Sequence, residues 1–318
     1  MNRKNKMILM IIGIIIICIV ILIVILVDRK KNYNYEFDPV TPEPEIEVQN
    51  YIQRVSVRNE FYTIKNIITK FYSLCDSLSS EYNDDNDINE ISEDIYDILD
   101  EEYINDLKIT KNNINSMFNE INTYNFIIDD MYSYQASEDI NYYIVYGNVG
   151  NVSNEKRENF KYLVKLDTQN KTYSVVPSTE YIDKKGIGDI NSNSDISVDF
   201  STESIDKKSS NEYEYSIISD EQYVRDLFND FKNRALFDRE NLYNNLEEEY
   251  KKENFDTNEE FKKYCIENVK SIMSMTLSNY TKNKVSNNVV EYTCVDQYEN
   301  YYKFYEEAPM KYKVKIGK

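Results

Sequence analysis

Residues 7–27 form an apolar run of 21 residues without one charged side chain. At about 1.5 Å of rise per residue, a helix over this run spans about 31 Å, which matches the roughly 30 Å hydrocarbon core of a bilayer. The run is longer than the apolar region of a secretory signal, and no small-residue cleavage site follows it. The sequence therefore predicts an uncleaved, single-pass transmembrane helix with the lipid bilayer as its partner.

The charges that flank this run set the expected orientation. Three cationic residues precede residues 7–27 and three follow them, so the count alone favours neither direction. Long segments cross a membrane largely regardless of charge, whereas moving a short cationic tail outward opposes the membrane potential. We therefore expect residues 1–6 in the cytoplasm and the rest of the chain outside the cell membrane.

The predicted outer part is strongly acidic. The formal net charge is −19 and residues 1–31 contribute +5, which leaves −24 on residues 32–318. Nucleic acid should repel such a chain, so we expect no nucleic-acid partner. The 30 Tyr and 13 Phe nevertheless supply enough apolar surface for packed cores. Abundant Asn, Ile, Lys and Tyr beside only 6 Gly resemble AT-rich codon usage and favour a bacterial source.

Changes in composition divide the outer part into segments. Residues 28–54 carry three prolines among acidic residues, which is typical of an extended stalk. Residues 184–213 are rich in Ser, Asn, Asp and Gly without sustained periodicity, which predicts a flexible linker. The two remaining segments, 55–183 and 214–318, are long enough to be domains.

Each predicted domain shows helical periodicity first and alternation afterwards. In the first domain, apolar spacing predicts one helix over 57–78, a second through residues 91–107 after a polar loop over 80–89, and a third that Thr110 caps. In the second domain, Ser219 and Thr257 cap the first and third helices, and the second covers 239–253. Alternating residues predict four strands in each domain, at 123–134, 141–148, 160–167 and 171–176, and at 275–284, 289–298, 301–307 and 310–316.

The two domains also match residue by residue. IYDILDEEY at 95–103 aligns without a gap with LYNNLEEEY at 242–250, 147 positions later. The first helices align 160 positions apart, because the first domain carries an acidic insertion after Leu78.

This order of helices followed by four strands resembles the nuclear transport factor 2-like (cystatin-like) fold. The resemblance implies an α+β protein in which a curved antiparallel sheet wraps against helices, often around a conical pocket. Two tandem copies behind one transmembrane helix resemble envelope proteins of Gram-positive bacteria, many of them uncharacterised. Because this fold hosts enzymes, binding modules and assembly parts, the resemblance implies architecture more than function.

Candidate catalytic residues are few. The chain contains no His, which excludes Ser-His-Asp and Cys-His arrangements and removes the commonest zinc ligand. Pocket enzymes of the resembled fold use a carboxylate and a Tyr, and Glu102/Tyr103 with Glu249/Tyr250 are the repeated pairs of that kind. Tyr103, however, continues the apolar helix face, so core packing explains it better. We expect no enzyme, no catalytic residues and no cofactor.

Two further patterns favour structural explanations. Residues 83–94 place acidic side chains at alternate positions as a calcium loop does, but Ile88 stands where such a loop needs Gly. We therefore expect a solvated acidic segment and no metal site. Cys75, Cys265 and Cys294 are widely spaced and odd in number, which favours buried thiols over a Cys265–Cys294 bridge.

These observations favour a non-catalytic, membrane-anchored, extracytoplasmic binding or scaffold protein of a bacterial cell envelope. Its expected partner is an envelope protein or a wall component, and the ligand-binding residues are unknown. Two alternatives stay open, namely an assembly subunit of a conjugation-type secretion channel, and a pocket enzyme that uses a carboxylate and Tyr.

Overall fold

The computed structural model describes residues 52–80, 83–121, 125–150, 157–187 and 200–317. The predicted tail 1–6, transmembrane helix 7–27 and most of the stalk 28–54 lie outside these residues. Among the helices that are described, none has the length and apolar character needed to cross a bilayer. Val48–Lys318 belong to one compact unit, and it has the predicted α+β architecture of helices and antiparallel sheets.

The first repeat begins with a long amphipathic helix. Helix α1 (Arg58–Leu78) buries the face that carries its apolar residues at three- and four-residue spacing, including Ile64, Ile68 and Phe71. Three shorter helices follow: α2 (Asp85–Ile98), α3 (Glu101–Leu107) and α4 (Ile114–Phe118). The predicted first helix is therefore confirmed.

The next helices differ from the prediction at three points. Helix α2 begins inside the expected loop over 80–89, because Asp84 and Asp87 form a reciprocal capping box. The expected single helix through residues 91–107 is interrupted at Leu99, whose backbone instead pairs with Val175. Thr110 is not an N-cap, since its backbone N–H donates to Asn113 Oδ1 and α4 starts only at Ile114.

The first sheet has five antiparallel strands in sequence order, and the last four of them form a meander. Its strands are β1 (Gln53–Arg54), β2 (Ile127–Gln135), β3 (Ile140–Gly150), β4 (Arg157–Asp167) and β5 (Thr172–Val176). The predicted β4–β5 hairpin is confirmed, with Val164 opposite Val175. One sheet face packs against α1, and a short helix, α5 (Thr179–Lys184), follows β5.

Part of the predicted flexible linker packs against the first sheet. The ring of Phe200 stacks on Tyr134 with centroids 4.4 Å apart. Asn211 is 1% exposed, and the backbone N–H of Tyr213 donates to Lys171 O over 3.0 Å. We expected residues 184–213 to run free of both domains because they lack periodicity, but ring stacking, burial of Asn211 and a backbone hydrogen bond connect residues 200–213 to the first repeat. The domain boundaries themselves stay a prediction.

The second repeat has the same general order, in which helices precede an antiparallel sheet, but its described residues form five helices before the sheet and four strands. Its helices are α6 (Asp220–Phe237), α7 (Arg239–Asn244), α8 (Glu248–Asn254), α9 (Asn258–Glu267) and α10 (Val269–Ser274). Its antiparallel strands, again in sequence order, are β6 (Leu277–Lys284), β7 (Val290–Asp296), β8 (Tyr301–Ala308) and β9 (Lys311–Gly317). Ser219 and Thr257 act as N-caps as predicted, because each side chain accepts a hydrogen bond from a backbone N–H three residues later.

The repeat seen in the sequence extends to backbone hydrogen bonds. In the first repeat, Leu99 pairs with Val175 and the N–H of Asp100 donates to Val175 O over 3.1 Å. In the second repeat, Leu246 pairs with Val314 and the N–H of Glu247 donates to Val314 O over 2.9 Å. The second helix is therefore broken at the same place in both repeats.

Ion pairs connect the two repeats. The Arg234 guanidinium on α6 donates to Asp129 Oδ1 on β2 over 2.7 Å. Arg58 at the start of α1 donates to Asp220 Oδ1 over 2.6 Å, and Lys311 on β9 pairs with Asp130 on β2.

Candidate functional site

A pocket of about 790 Å³ lies between the helices of the second repeat and the face of its sheet that they cover. Helix α6 supplies Phe231 and Ala235 to it, β8 supplies Tyr302, and α8 to α10 supply most of the rest. The remaining lining residues are Tyr250, Asn254, Phe255, Phe261, Tyr264, Cys265, Asn268, Ser271, Ile272, Met275, Tyr298, Asn300, Ile316 and Gly317.

Aromatic rings form most of the pocket wall, and they hold one another in place. Phe255 lies 5.1 Å from Phe261 and 5.4 Å from Tyr264, measured between ring centroids. On the opposite wall, Phe231 lies 5.3 Å from Tyr302. Such edge and tilted contacts between rings are favourable beyond the apolar area that they bury. The wall is therefore formed by packed side chains rather than by long mobile ones.

The pocket wall carries no charged side chain among the described residues that line it, although 29% of the chain is charged. Burial raises the pKa of the Cys265 thiol to about 12, and it also raises the pKa of the Tyr250 and Tyr302 phenols above their usual value. These groups stay protonated at neutral pH. The pocket consequently presents a neutral surface.

The polar side chains of the pocket wall form hydrogen bonds mainly with other groups of the protein. Asn254 and Asn268 each donate from Nδ2 to a carbonyl oxygen one helical turn earlier, over 2.8 Å. The Tyr302 hydroxyl lies 3.1 Å from Asp296 Oδ2, and Asn300 donates to the same carboxylate oxygen over 3.0 Å. These contacts fix the polar side chains at the base and rim of the pocket.

The strand register identifies the part of the first repeat that is equivalent to this pocket. Val175 and Val314 are equivalent because each forms the same bridge to the broken helix. Val164 lies opposite Val175, and Phe304 lies opposite Val314, which makes Tyr162 the equivalent of Tyr302. The helix alignments then make Phe71 the counterpart of Phe231 and Tyr103 the counterpart of Tyr250.

In the first repeat this place is filled by aromatic side chains. Phe118 lies 5.8 Å from Phe71, and Phe160 lies 4.6 Å from Tyr162, between ring centroids. Tyr72 lies 5.0 Å from Phe126, and its hydroxyl donates to that of Tyr162 over 3.1 Å. Phe118 and Phe160 are only 3% and 6% exposed.

The second repeat lacks all four of these rings. The helix alignments pair Tyr72 with Lys232 and Phe118 with Cys265. The strand register pairs Phe126 with Met275 and Phe160 with Asn300. The Lys232 ammonium donates to Met275 O over 3.1 Å and is not part of the pocket wall. Smaller or differently directed side chains therefore open the pocket in one repeat where rings close it in the other.

The two predicted carboxylate–Tyr pairs, Glu102/Tyr103 and Glu249/Tyr250, lie in different surroundings. Tyr103 is a core residue, as its position on the apolar face predicts, and Glu102 is exposed and pairs with Lys185. Tyr250 lines the pocket, whereas Glu249 lies on the exposed side of α8 and is not a lining residue. The structure thus separates the carboxylate from the phenol in the only pair that reaches the large pocket.

A second cavity, of about 350 Å³, lies in the first repeat and includes Asp100, Glu102 and Lys185 in its wall. Lys185 also pairs with Asp106 over 2.9 Å, and this carboxylate accepts a hydrogen bond from Tyr181 over 2.8 Å. Lys185 thus pairs with both Glu102 and Asp106, and these surface ion pairs connect the end of α5 to α3.

The structure also describes the remaining candidate residues. In the part of the chain that it covers, no three acidic, Cys or His side chains are grouped as metal ligands, and the calcium-like segment is mostly the helix α2. Cys75, Cys265 and Cys294 are buried free thiols, as their spacing predicts.

No protein family, curated protein or solved structure matches this chain. Sequence reasoning identified Tyr250 but missed the other pocket residues. The signal was present in the repeat, since aligned positions change from Phe118 to Cys265 and from Phe160 to Asn300.

Proposed function

We propose that this chain is a non-catalytic, membrane-anchored binding protein of a bacterial cell envelope, with its binding site in the second repeat. One observation carries the proposal: equivalent positions are filled by rings in the first repeat and open into a pocket of about 790 Å³ in the second. The volume of this pocket falls within the range of small-molecule sites.

The architecture is part of the same proposal. Each repeat has the element order that resembles the nuclear transport factor 2-like fold, with one long helix, shorter helices and a four-strand meander. We propose that both repeats adopt that fold, with a closed copy in the first repeat and an open copy in the second.

The neutral pocket wall supports binding over catalysis. A carboxylate–Tyr mechanism needs a carboxylate that faces the reacting group, and the described lining residues include none. The Asp296 carboxylate beside Tyr302 is 1% exposed and already accepts hydrogen bonds from Tyr302 and Asn300. Loss of a substrate together with formation of a product, catalysed by the purified chain, would show that it is an enzyme instead.

Localisation can be tested in intact protoplasts of a cell that expresses the chain. Because the apolar run at 7–27 follows a short cationic tail, external protease should remove both repeats and leave the tail protected. Full protection of the repeats would mean the opposite orientation.

The class of partner can be tested by crosslinking in intact cells, followed by capture of the full chain. Recovery of a wall component, an envelope protein or a small ligand supports the binding function. A reproducible set of secretion-channel proteins would replace it with the channel-subunit alternative.

A further inference from the structure

We infer that the pocket of the second repeat binds an uncharged molecule built around at least two aromatic rings. This inference rests on the proposed binding function and specifies the chemical class of its ligand. The first repeat provides the template, because aromatic side chains of the chain itself occupy the equivalent volume there.

The size of the ligand follows from the aromatic side chains that the second repeat lacks. Four aromatic side chains fill the site in the first repeat, and none of their counterparts in the second repeat is aromatic. A ligand with a single small ring would leave much of the pocket of about 790 Å³ empty and would forfeit contacts with the opposite wall. Two or more rings can reach Phe231 and Tyr302 on one wall while they contact Phe255 and Phe261 on the other.

The described pocket wall has no charged side chain, which indicates a neutral ligand. A charged ligand loses its hydration on entering, and the described lining residues offer no opposite charge to replace it. Anions are also repelled by the net charge of the chain, which is −19. Aromatic faces attract cations, but the described wall offers no carboxylate on its surface, so that attraction alone would have to offset the lost hydration of the cation.

The wall also predicts a few polar groups on the ligand. Asn254, Asn268 and Ser271 are the polar lining residues on α8 to α10, and the Tyr250 hydroxyl comes from the same group of helices. One or two hydroxyl or carbonyl groups on an aromatic body would meet these side chains, as in other apolar sites that use a few polar contacts for orientation.

Three photoreactive probes with one skeleton test the class directly. Benzophenone is neutral, 4-benzoylbenzoate is anionic, and (4-benzoylbenzyl)trimethylammonium is cationic. Each is irradiated with the full chain in lipid nanodiscs, and peptide mass spectrometry locates the adducts. We expect the neutral probe to label residues 248–277 and 298–302 at least tenfold more than either charged probe. Equal or stronger labelling of the pocket by a charged probe, or no labelling there by any probe, would overturn the inference.

A variant that restores the rings of the first repeat provides the second test. C265F/M275F introduces the aromatic residues found at the equivalent positions 118 and 126. We expect it to reduce pocket labelling by benzophenone at least tenfold. N288F adds one ring at an exposed turn and should leave labelling within twofold of wild type. Undiminished labelling of the folded C265F/M275F chain would contradict the assignment.

The two tests separate this inference from the proposed function. If the pocket does not label but crosslinking in cells captures an envelope protein, the binding function stands and the ligand class is wrong. The comparison of the three probes uses only the wild-type chain, so it decides the inference even if C265F/M275F does not fold.

Discussion

Arg234 is a buried cation at the junction of the two repeats. Its side chain is 2% exposed, and its guanidinium contacts Asp230 over 2.8 Å, Asp129 over 2.7 Å and Asp238 over 3.3 Å. Burial opposes the charge, but the carboxylates of Asp230 and Asp129 keep the pKa of Arg234 well above its usual value. The cluster is therefore charged and paired rather than neutralised.

Replacing Arg234 by Met should destabilise the fold by about 3–5 kcal/mol, because buried carboxylates then lose their partner. Urea unfolding followed by circular dichroism measures the change. Arg225 lies on the same helix but is half exposed and, among the described residues, pairs with Glu221, so R225M should change the free energy of unfolding by less than about 1 kcal/mol. Equal effects of the two substitutions would show that the cluster contributes no more than a surface pair.

Glu306 gives stability a specific pH dependence. Burial raises the pKa of this carboxyl from 4.5 to about 7, even though Arg58 opposes the shift. Below pH 4.5 the group is protonated in both states; between pH 4.5 and 7 the unfolded chain ionises first, so folding loses up to about 1.4 kcal/mol per pH unit. Above pH 7 the loss stays constant.

Glu306→Gln removes this ionisation, so the stability of the variant relative to wild type should rise from pH 4.5 to 7 and then level off. Urea unfolding at pH 4.5, 6, 7 and 8 measures it. The same substitution at Glu307, the exposed neighbour on the same strand, is the matched control. A flat difference for Glu306→Gln would mean that its pKa is ordinary in the folded state.

At the scale of elements, the broken second helix ties the helical layer to the sheet in both repeats. Asp100 and Glu247 each accept hydrogen bonds from the backbone N–H groups of the second and third residues of the next helix, and Asp100 also accepts one from Ser174 over 3.0 Å. The strands could be predicted because alternation is a local signal. The break could not, because Leu99 leaves the helix to pair with Val175, 76 positions away in the sequence.

Asp100→Ala and Glu247→Ala should each lower the free energy of unfolding by about 1–2 kcal/mol, since each removes an N-cap. The matched controls are Glu101→Ala and Glu248→Ala, at the exposed first positions of the same helices, and their effect should be within about 0.5 kcal/mol. Thermal unfolding followed by circular dichroism compares the four variants. If capping variants and controls match, the sheet pairing alone fixes the helix break.

At the scale of the molecule, side-chain contacts connect the two repeats in addition to the linker between them. Tyr62 on α1 donates to Asp226 on α6 over 2.8 Å, in addition to the pairs made by Arg58, Arg234 and Lys311. The sequence predicted two repeats from their internal similarity. It could not predict how they contact each other, because Arg234 and Asp129 lie 105 positions apart and no periodicity relates them.

Cleavage within residues 184–212 should therefore leave the two repeats associated. Limited proteolysis, followed by size-exclusion chromatography without denaturant, measures this. Both fragments should elute together, and R234M should weaken their association. Separate elution of the wild-type fragments would show that the linker alone joins the repeats.

The open pocket also affects how the second repeat keeps its shape. The first repeat fills the equivalent place with rings from the chain itself, whereas in the second repeat this place is open for a ligand to occupy. Occupancy and folding are then thermodynamically linked, and a ligand at one hundred times its dissociation constant adds about 2.7 kcal/mol of stability. The amount of this protein in a cell would then depend on the ligand, because the ligand-free form is less stable and is degraded faster.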